Sequence, residues 1–422
     1  MICQQYPELN ETVWRDTLPN GLSLIVVPRK GFTRRLTYFA TDYGSIHTSF
    51  SLDGKEYQAP DGTAHFLEHK MFDLPNRDVS AEFASMGASV NAFTSYDMTA
   101  YYFVTTKNFD RCLKLLLEFV STPYFTEQSV AKEQGIIGQE IGMNVDSSDT
   151  RVFENLLRIL YKNHPIRIPI LGTTETIAKI TPEILYASHR AFYTPGNMVL
   201  CVVGDVDPEE VRKTACEVLG TEAVSVGKKN RDWSEEMTCD TPLIREKMEV
   251  SMPTFQMGFK CEPAGRGEAG VRQEIVGDLA AEALFGESSP LYLKLYEEGL
   301  IDSSFGGGFE TLDGCTLLTC GGDSDHPEEV RDAILAEAAR LAETGVEENA
   351  FRRMKRSALG RRVRDLDSFD GTCFRLCACH MSGFDYFRFP EIVREISREE
   401  IRQFLKTVVR PERCALSVVD PL

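Results

Sequence analysis

The sharpest chemical feature of the chain is a pair of histidines one helical turn apart with a glutamate beside the second, in Asp61-Gly62-Thr63-Ala64-His65-Phe66-Leu67-Glu68-His69-Lys70-Met71-Phe72. No Pro or Gly interrupts the run after Gly62, and Asp61 or Thr63 can cap its start, so the pattern predicts a helix. On it, the step of four from His65 to His69 puts both imidazoles on one face with Cβ atoms about 6 Å apart, a two-toothed metal clamp. Glu68 is near enough to reach a water at such a metal and too close in sequence to complete the coordination. It is the candidate general base.

Two histidines leave zinc one short of the three protein ligands plus water usual in a catalytic site, so the missing ligand is expected elsewhere in the chain. Helical periodicity from Glu127 to Met143 supplies a second helix, carrying Glu133 and Glu140 seven residues apart and therefore nearly on one face. Either can be the third ligand. Gly135 and Gly138 weaken this helix by roughly 1 kcal/mol each, which close packing against another backbone would explain. A histidine pair at this spacing can be an accident in a chain with 7 histidines. The order His-x-x-Glu-His is the inverted zincin order, and with a paired-carboxylate helix further along the chain, the accident becomes the weaker reading.

The elements around these helices read as α+β. Leu18-Pro19-Asn20-Gly21-Leu22 is a turn opening a strand, Ser23 to Pro28. Ser89 to Thr94 and Thr99 to Thr105 are β-rich runs joined by Ser95-Tyr96-Asp97-Met98, a hairpin. Phe109 to Val120 is periodic as a helix. The chain also echoes itself: residues 192–208 and 404–421 are each a helix end, a proline turn, a β-branched strand and an Asp-Pro stop, with Pro195 and Pro411 216 positions apart. Helix openings at Glu127 and Glu347 repeat at an offset of 220. These echoes imply two similar halves, residues 1–222 and 242–422, joined by a polar linker, 223–241, without a clean period.

Composition removes several classes. With 46 Lys+Arg against 64 Asp+Glu the net charge is −18, which repels a phosphate backbone, so no nucleic acid is expected. No apolar run approaches the roughly 20 residues of a membrane span. The first residues do not read as a secretory signal, and 12 scattered cysteines suit a reducing, cytoplasmic setting. Cys373, Cys377, Cys379 and His380 cluster, but read as buried thiols on a helix. The basic run from Arg352 to Arg364 reads as a solvated helix face, the glycines at 306–308 and 321–322 as turns or close strand packing, and His164 and His189 as structural.

On its motifs the sequence resembles peptidase family M16, the group of pitrilysin, insulinase and mitochondrial processing peptidase. The resemblance is carried by Leu18-Pro19-Asn20-Gly21-Leu22, Tyr43-Gly44-Ser45, His65-Phe66-Leu67-Glu68-His69, Asn91-Ala92-Phe93-Thr94 with Tyr101-Tyr102-Phe103, and Glu133 through Glu140. More diffusely, it extends through the second half along residues 291–300 and the last strand. It implies two homologous α/β-sandwich halves, each a mostly antiparallel sheet with helices packed on it, forming half of a clamshell. It also implies Zn2+ held by His65, His69 and Glu140, Glu68 activating the water, and Glu133 supporting a ligand from behind. The activity implied is that of a metalloendopeptidase acting on a peptide held as an added edge strand along Asn91, Ala92, Phe93 and Thr94.

One departure bears on partners. Family members that act alone carry an Arg and, about seven or eight residues later, a Tyr in the second half, which stabilise the reacting carbonyl. Here Tyr296 and Asp302 stand at those places, and Arg353 and Gly360 stand where Glu133 and Glu140 would repeat. The resemblance therefore implies a sister subunit supplying the Arg/Tyr pair in a heterodimer. The competing reading is a noncatalytic, partner-binding subunit that has kept its metal site.

Overall fold

The computed structural model describes residues 1–422, which cluster into two compact units. The first unit holds residues 1–141, 169–231 and 363–387. Its sheet has seven strands: β1 (Ile2–Tyr6), β2 (Glu11–Thr17), β3 (Ser23–Pro28), β4 (Arg35–Thr41), β5 (Ala88–Thr94), β6 (Thr99–Thr105) and β7 (Met198–Gly204). They lie in the order β1-β2-β3-β7-β4-β6-β5, with β7 parallel to β3 and every other pair antiparallel. All seven residues of β7 are buried, as a strand covered on both faces requires. β5 is at the edge, paired on one side only, with Thr94 opposite Thr99.

The second unit holds residues 142–168, 232–362 and 388–422. Its strands are β8 (Leu243–Met248), β9 (Thr254–Cys261), β10 (Gly306–Leu312), β11 (Cys315–Asp323) and β12 (Cys414–Pro421), in the order β8-β12-β9-β11-β10. This is the order of β3-β7-β4-β6-β5 over again, including the single parallel pair, β8 with β12. The strands that echo each other in sequence, β7 and β12, hold the same place in the two sheets. That coincidence of order, direction and sequence is what a duplicated half predicts. The triple glycine at 306–308 opens the edge strand β10, where a Cβ on Gly307 would come 2.3 Å from the Thr319 carbonyl oxygen.

Two helices carry the candidate site, α1 (Thr63–Met71) and α2 (Glu127–Val145), and two more, α3 (Ser148–Leu160) and α4 (Phe369–Ser382), pack on the sheets. Each unit takes one helix from beyond its own run of strands. α3 packs on β9 and β12. Gly258 makes room for it, since a Cβ there would lie 2.7 Å from a Leu160 methyl. α4 packs on β4 and β7, where the Tyr38 hydroxyl donates to Asp370 at 2.7 Å. Cys373 and Cys377 are wholly buried on α4, which is how a thiol used as a small hydrophobe behaves. The basic helix Glu348–Asp365 is ion-paired, with Arg352 on Glu348 and Arg361 on Glu282. His164 and His189 hold backbone carbonyls, of Asp313 and Val120.

Candidate metal centre

α1 is buried almost all round; of its nine residues only His69 is not buried. Its start differs from the expected side-chain cap. The cap position is Gly62 at φ 88, with no side-chain bond, and the Thr63 hydroxyl turns back to the Pro60 carbonyl at 2.6 Å. The reason is a close approach: a Cβ on Gly62 would sit 2.4 Å from the Leu171 carbonyl oxygen, and one on Gly172 would sit 2.5 Å from that of Asp61. Two glycines at positive φ thus let two backbones touch where α1 begins. Gly62→Ala is expected to cost about 1–3 kcal/mol. It should also displace the start of α1 and weaken metal binding. A thermal melt matching the wild type would refute this account of the helix start.

The structure brings His65, His69 and Glu140 together, their ligand atoms all within 4.8 Å of one another, and no other such group of three forms in the chain. The His65 and His69 Nε2 atoms each lie 3.7 Å from a different oxygen of Glu140. That is too long for hydrogen bonds, which run to about 3.2 Å. It is close to the roughly 3.4 Å that separates two donors sharing one ion at about 2.1 Å in tetrahedral geometry.

Glu133 does not point at this centre. It takes the Nδ1–H of His69 at 3.0 Å. A carboxylate on the far nitrogen fixes the tautomer and leaves the Nε2 lone pair facing Glu140. That bond also holds the His69 pKa above its ordinary value. His65 has no such support, because its Nδ1 is buried without a partner and packing alone orients the ring. Burial, then the neighbouring His69, depresses its pKa to about 3, so the imidazole stays neutral with its lone pair free. α2 itself departs from expectation: a Cβ on Gly135 or on Gly138 would meet no atom within 4 Å, so close packing does not explain them.

Glu68 stays outside the donor set. Only 8% exposed, it accepts the Thr94 hydroxyl at 2.6 Å, and burial raises its pKa above the usual carboxylate range. Asn91, Ala92, Phe93 and Thr94 lie together at the free edge of the first sheet. There the Ala92 N–H is taken by the Asn91 side chain at 2.9 Å. Phe93 turns the other way, against Tyr38, Tyr102 and Phe374. Sequence reasoning did not find the bond from Thr94 to Glu68; a polar β-branched residue ending an edge strand was its only trace.

The second unit has no equivalent donors. The helix following β9, Glu268–Phe285, carries Glu274 and Asp278 one turn apart, and Arg362 reaches both, at 3.5 and 2.6 Å. Gly360 offers no ligand atom. Tyr296 is half-exposed and stacks on Tyr292, while Asp302 accepts from Ser304.

Residues 53–174 match the family described as Insulinase (Peptidase family M16), and residues 179–358 match Peptidase M16 inactive domain. The uncharacterized zinc protease YmfH of Bacillus subtilis (strain 168) is 35% identical over 99% of this chain and 98% of its own. The chain belongs to peptidase family M16. A crystal structure of an M16-like protein from Alicyclobacillus acidocaldarius superposes with a TM-score of 0.94 at 32% identity, covering 100% of both chains. Mitochondrial-processing peptidase subunit beta of Caenorhabditis elegans is 30% identical over 48% of this chain and 44% of its own. The M16 fold thus accounts for both halves, and the group of His65, His69 and Glu140 lies in the portion matched to the insulinase description. No helix of this M16 chain is long and apolar enough to cross a membrane.

Proposed function

We propose that the chain is the metal-bearing subunit of a zinc metalloendopeptidase that cleaves extended peptides, its half at 1–222 carrying the chemistry and its half at 242–422 carrying none. One observation carries the reading: two imidazole nitrogens and the Glu140 carboxylate converge, while a fourth group, the buried Glu68 carboxylate, stands beside them uncommitted to the set. Two nitrogens and one oxygen are the ligands of the zinc peptidase type with two histidines and a glutamate. His65, His69 and Glu140 would hold the ion, with Glu133 supporting His69. Zinc, when bound, supplies Lewis acidity toward the scissile carbonyl and the attacking water.

The chain's own residues do the rest. Glu68 takes the proton of the attacking water on its carboxylate and passes it to the leaving amine; a pKa raised by burial suits both duties. The unpaired edge of β5 offers backbone groups from Asn91 to Thr94 to a peptide arriving as an added strand, which gives affinity with little reading of side chains.

Tyr296 and Asp302 cannot donate as an Arg/Tyr pair would toward a developing oxyanion, and this supports a sister M16-like subunit that brings those donors. The C. elegans relative, named a subunit, points the same way. The test is cleavage of a quenched fluorescent peptide by the zinc-loaded chain, alone and with a candidate sister chain. Strong, chelator-sensitive cleavage only in the pair supports the whole reading. Full-rate cleavage by the chain alone removes the sister, and no cleavage under either condition favours a noncatalytic, partner-binding subunit.

A further inference from the structure

We propose that Thr94 is a positioning residue that ties the orientation of Glu68 to the strand on which the peptide is registered; the inference rests on the peptidase reading above. Thr94 is the last residue of the edge strand β5. Its Oγ1 donates to Oε2 of Glu68 at 2.6 Å, the one hydrogen bond that carboxylate makes with the protein. A glutamate has three rotatable bonds, and a single short bond from a β-branched side chain of few rotamers removes most of that freedom. With Oε2 engaged, Oε1 remains for the proton.

The hydroxyl is itself held in place. The turn after Thr94 closes through Ser95 N–H to the Met98 carbonyl at 2.7 Å and Met98 N–H to the Ser95 hydroxyl at 3.1 Å. The Tyr43-Gly44-Ser45 segment clasps this turn: Ser45 N–H donates to the Ser95 carbonyl and Ile46 N–H to that of Tyr96, at 3.1 and 3.0 Å. A Cβ on Gly44 would lie 2.5 Å from the Asp97 nitrogen, so only glycine allows the contact. Thr99, paired with Thr94 across the hairpin, donates its own hydroxyl to the Tyr43 carbonyl at 2.9 Å. The Tyr43-Gly44-Ser45 motif thereby acquires a purpose, to hold rigid the residue that aims the base.

The consequence is geometric. A peptide added to β5 takes its register from the same backbone that carries Thr94, so the base is aimed relative to the peptide main chain and not to its side chains. Such coupling lets one base serve many sequences.

The test compares Thr94→Val, which keeps shape and loses the hydroxyl, with Thr94→Ser, which keeps the hydroxyl. Crystal structures of both are expected to show Glu68 turned away in the valine variant and unmoved in the serine variant, whether or not the protein is active. In the assay, Thr94→Val should lower kcat by about 10- to 100-fold, the range for groups that orient a reacting residue. KM should stay within about twofold, and serine should restore most of kcat. Glu68 in its original place in the valine variant would overturn the proposal. So would a loss confined to KM, or a serine variant as impaired as the valine one. If the wild type cleaves nothing even with the sister chain, the peptidase reading falls, while the two structures still decide whether Thr94 aims Glu68.

Discussion

Glu68→Gln is expected to lower peptide cleavage by about 10^2- to 10^4-fold, the full worth of a positioned general base, while metal content stays at the wild-type level. The amide is nearly isosteric, and its carbonyl oxygen can still accept the Thr94 hydroxyl, so neither packing nor the hydrogen bond is lost. What is lost is the basic lone pair of the carboxylate. Metal content should not respond, because the converging donors are His65, His69 and Glu140, and Glu68 is not among them. Active-site metal measured by elemental analysis beside kcat on one peptide separates the two effects. A variant that keeps its metal and cleaves as well as the wild type would show that Glu68 is not the base. A variant that loses its metal would make Glu68 a ligand and require the site to be redrawn.

Why so much of this centre was legible, and where legibility stopped, comes down to the range of the interactions. The four-residue step between His65 and His69 and the seven-residue step between Glu133 and Glu140 are set by the helical period, so a local pattern sufficed to put each pair on one face. Spacing alone left Glu133 and Glu140 open as third ligand. They differ in what they touch, the far nitrogen of His69 or the space between two Nε2 atoms, and that depends on how α2 crosses α1. The start of α1 misled for the same reason. Asp61 and Thr63 have the right chemistry for a cap, but the Leu171 carbonyl, more than a hundred residues on, claims the space and demands glycine. The exchange of α3 and α4 left no local trace at all, since a helix reads the same whichever sheet it covers. Gly135 and Gly138 have no structural explanation.

Removing the carboxylate of Glu140 should separate ligand from support more sharply than any other substitution in α2. Glu140→Ala deletes one of three converging donors, and its affinity for zinc is expected to fall by more than the roughly 10- to 100-fold seen when a supporting partner is lost. Glu133→Ala should fall within that range: His69 keeps its nitrogen but loses the acceptor that fixes its tautomer. Stability without metal should run the other way. Glu140 has a side chain 39% exposed and no hydrogen bond of its own, so its removal should leave the metal-free melting temperature nearly unchanged. Glu133 has a side chain 12% exposed and bonded to His69, so its loss leaves a partly buried imidazole without its partner and should lower that temperature. Competition against a chromophoric chelator, read beside metal-free melts, gives both numbers for each variant. If Glu133→Ala proves the more damaging to zinc affinity, the assignments of ligand and support exchange, and the geometry at the Nε2 atoms has been misjudged.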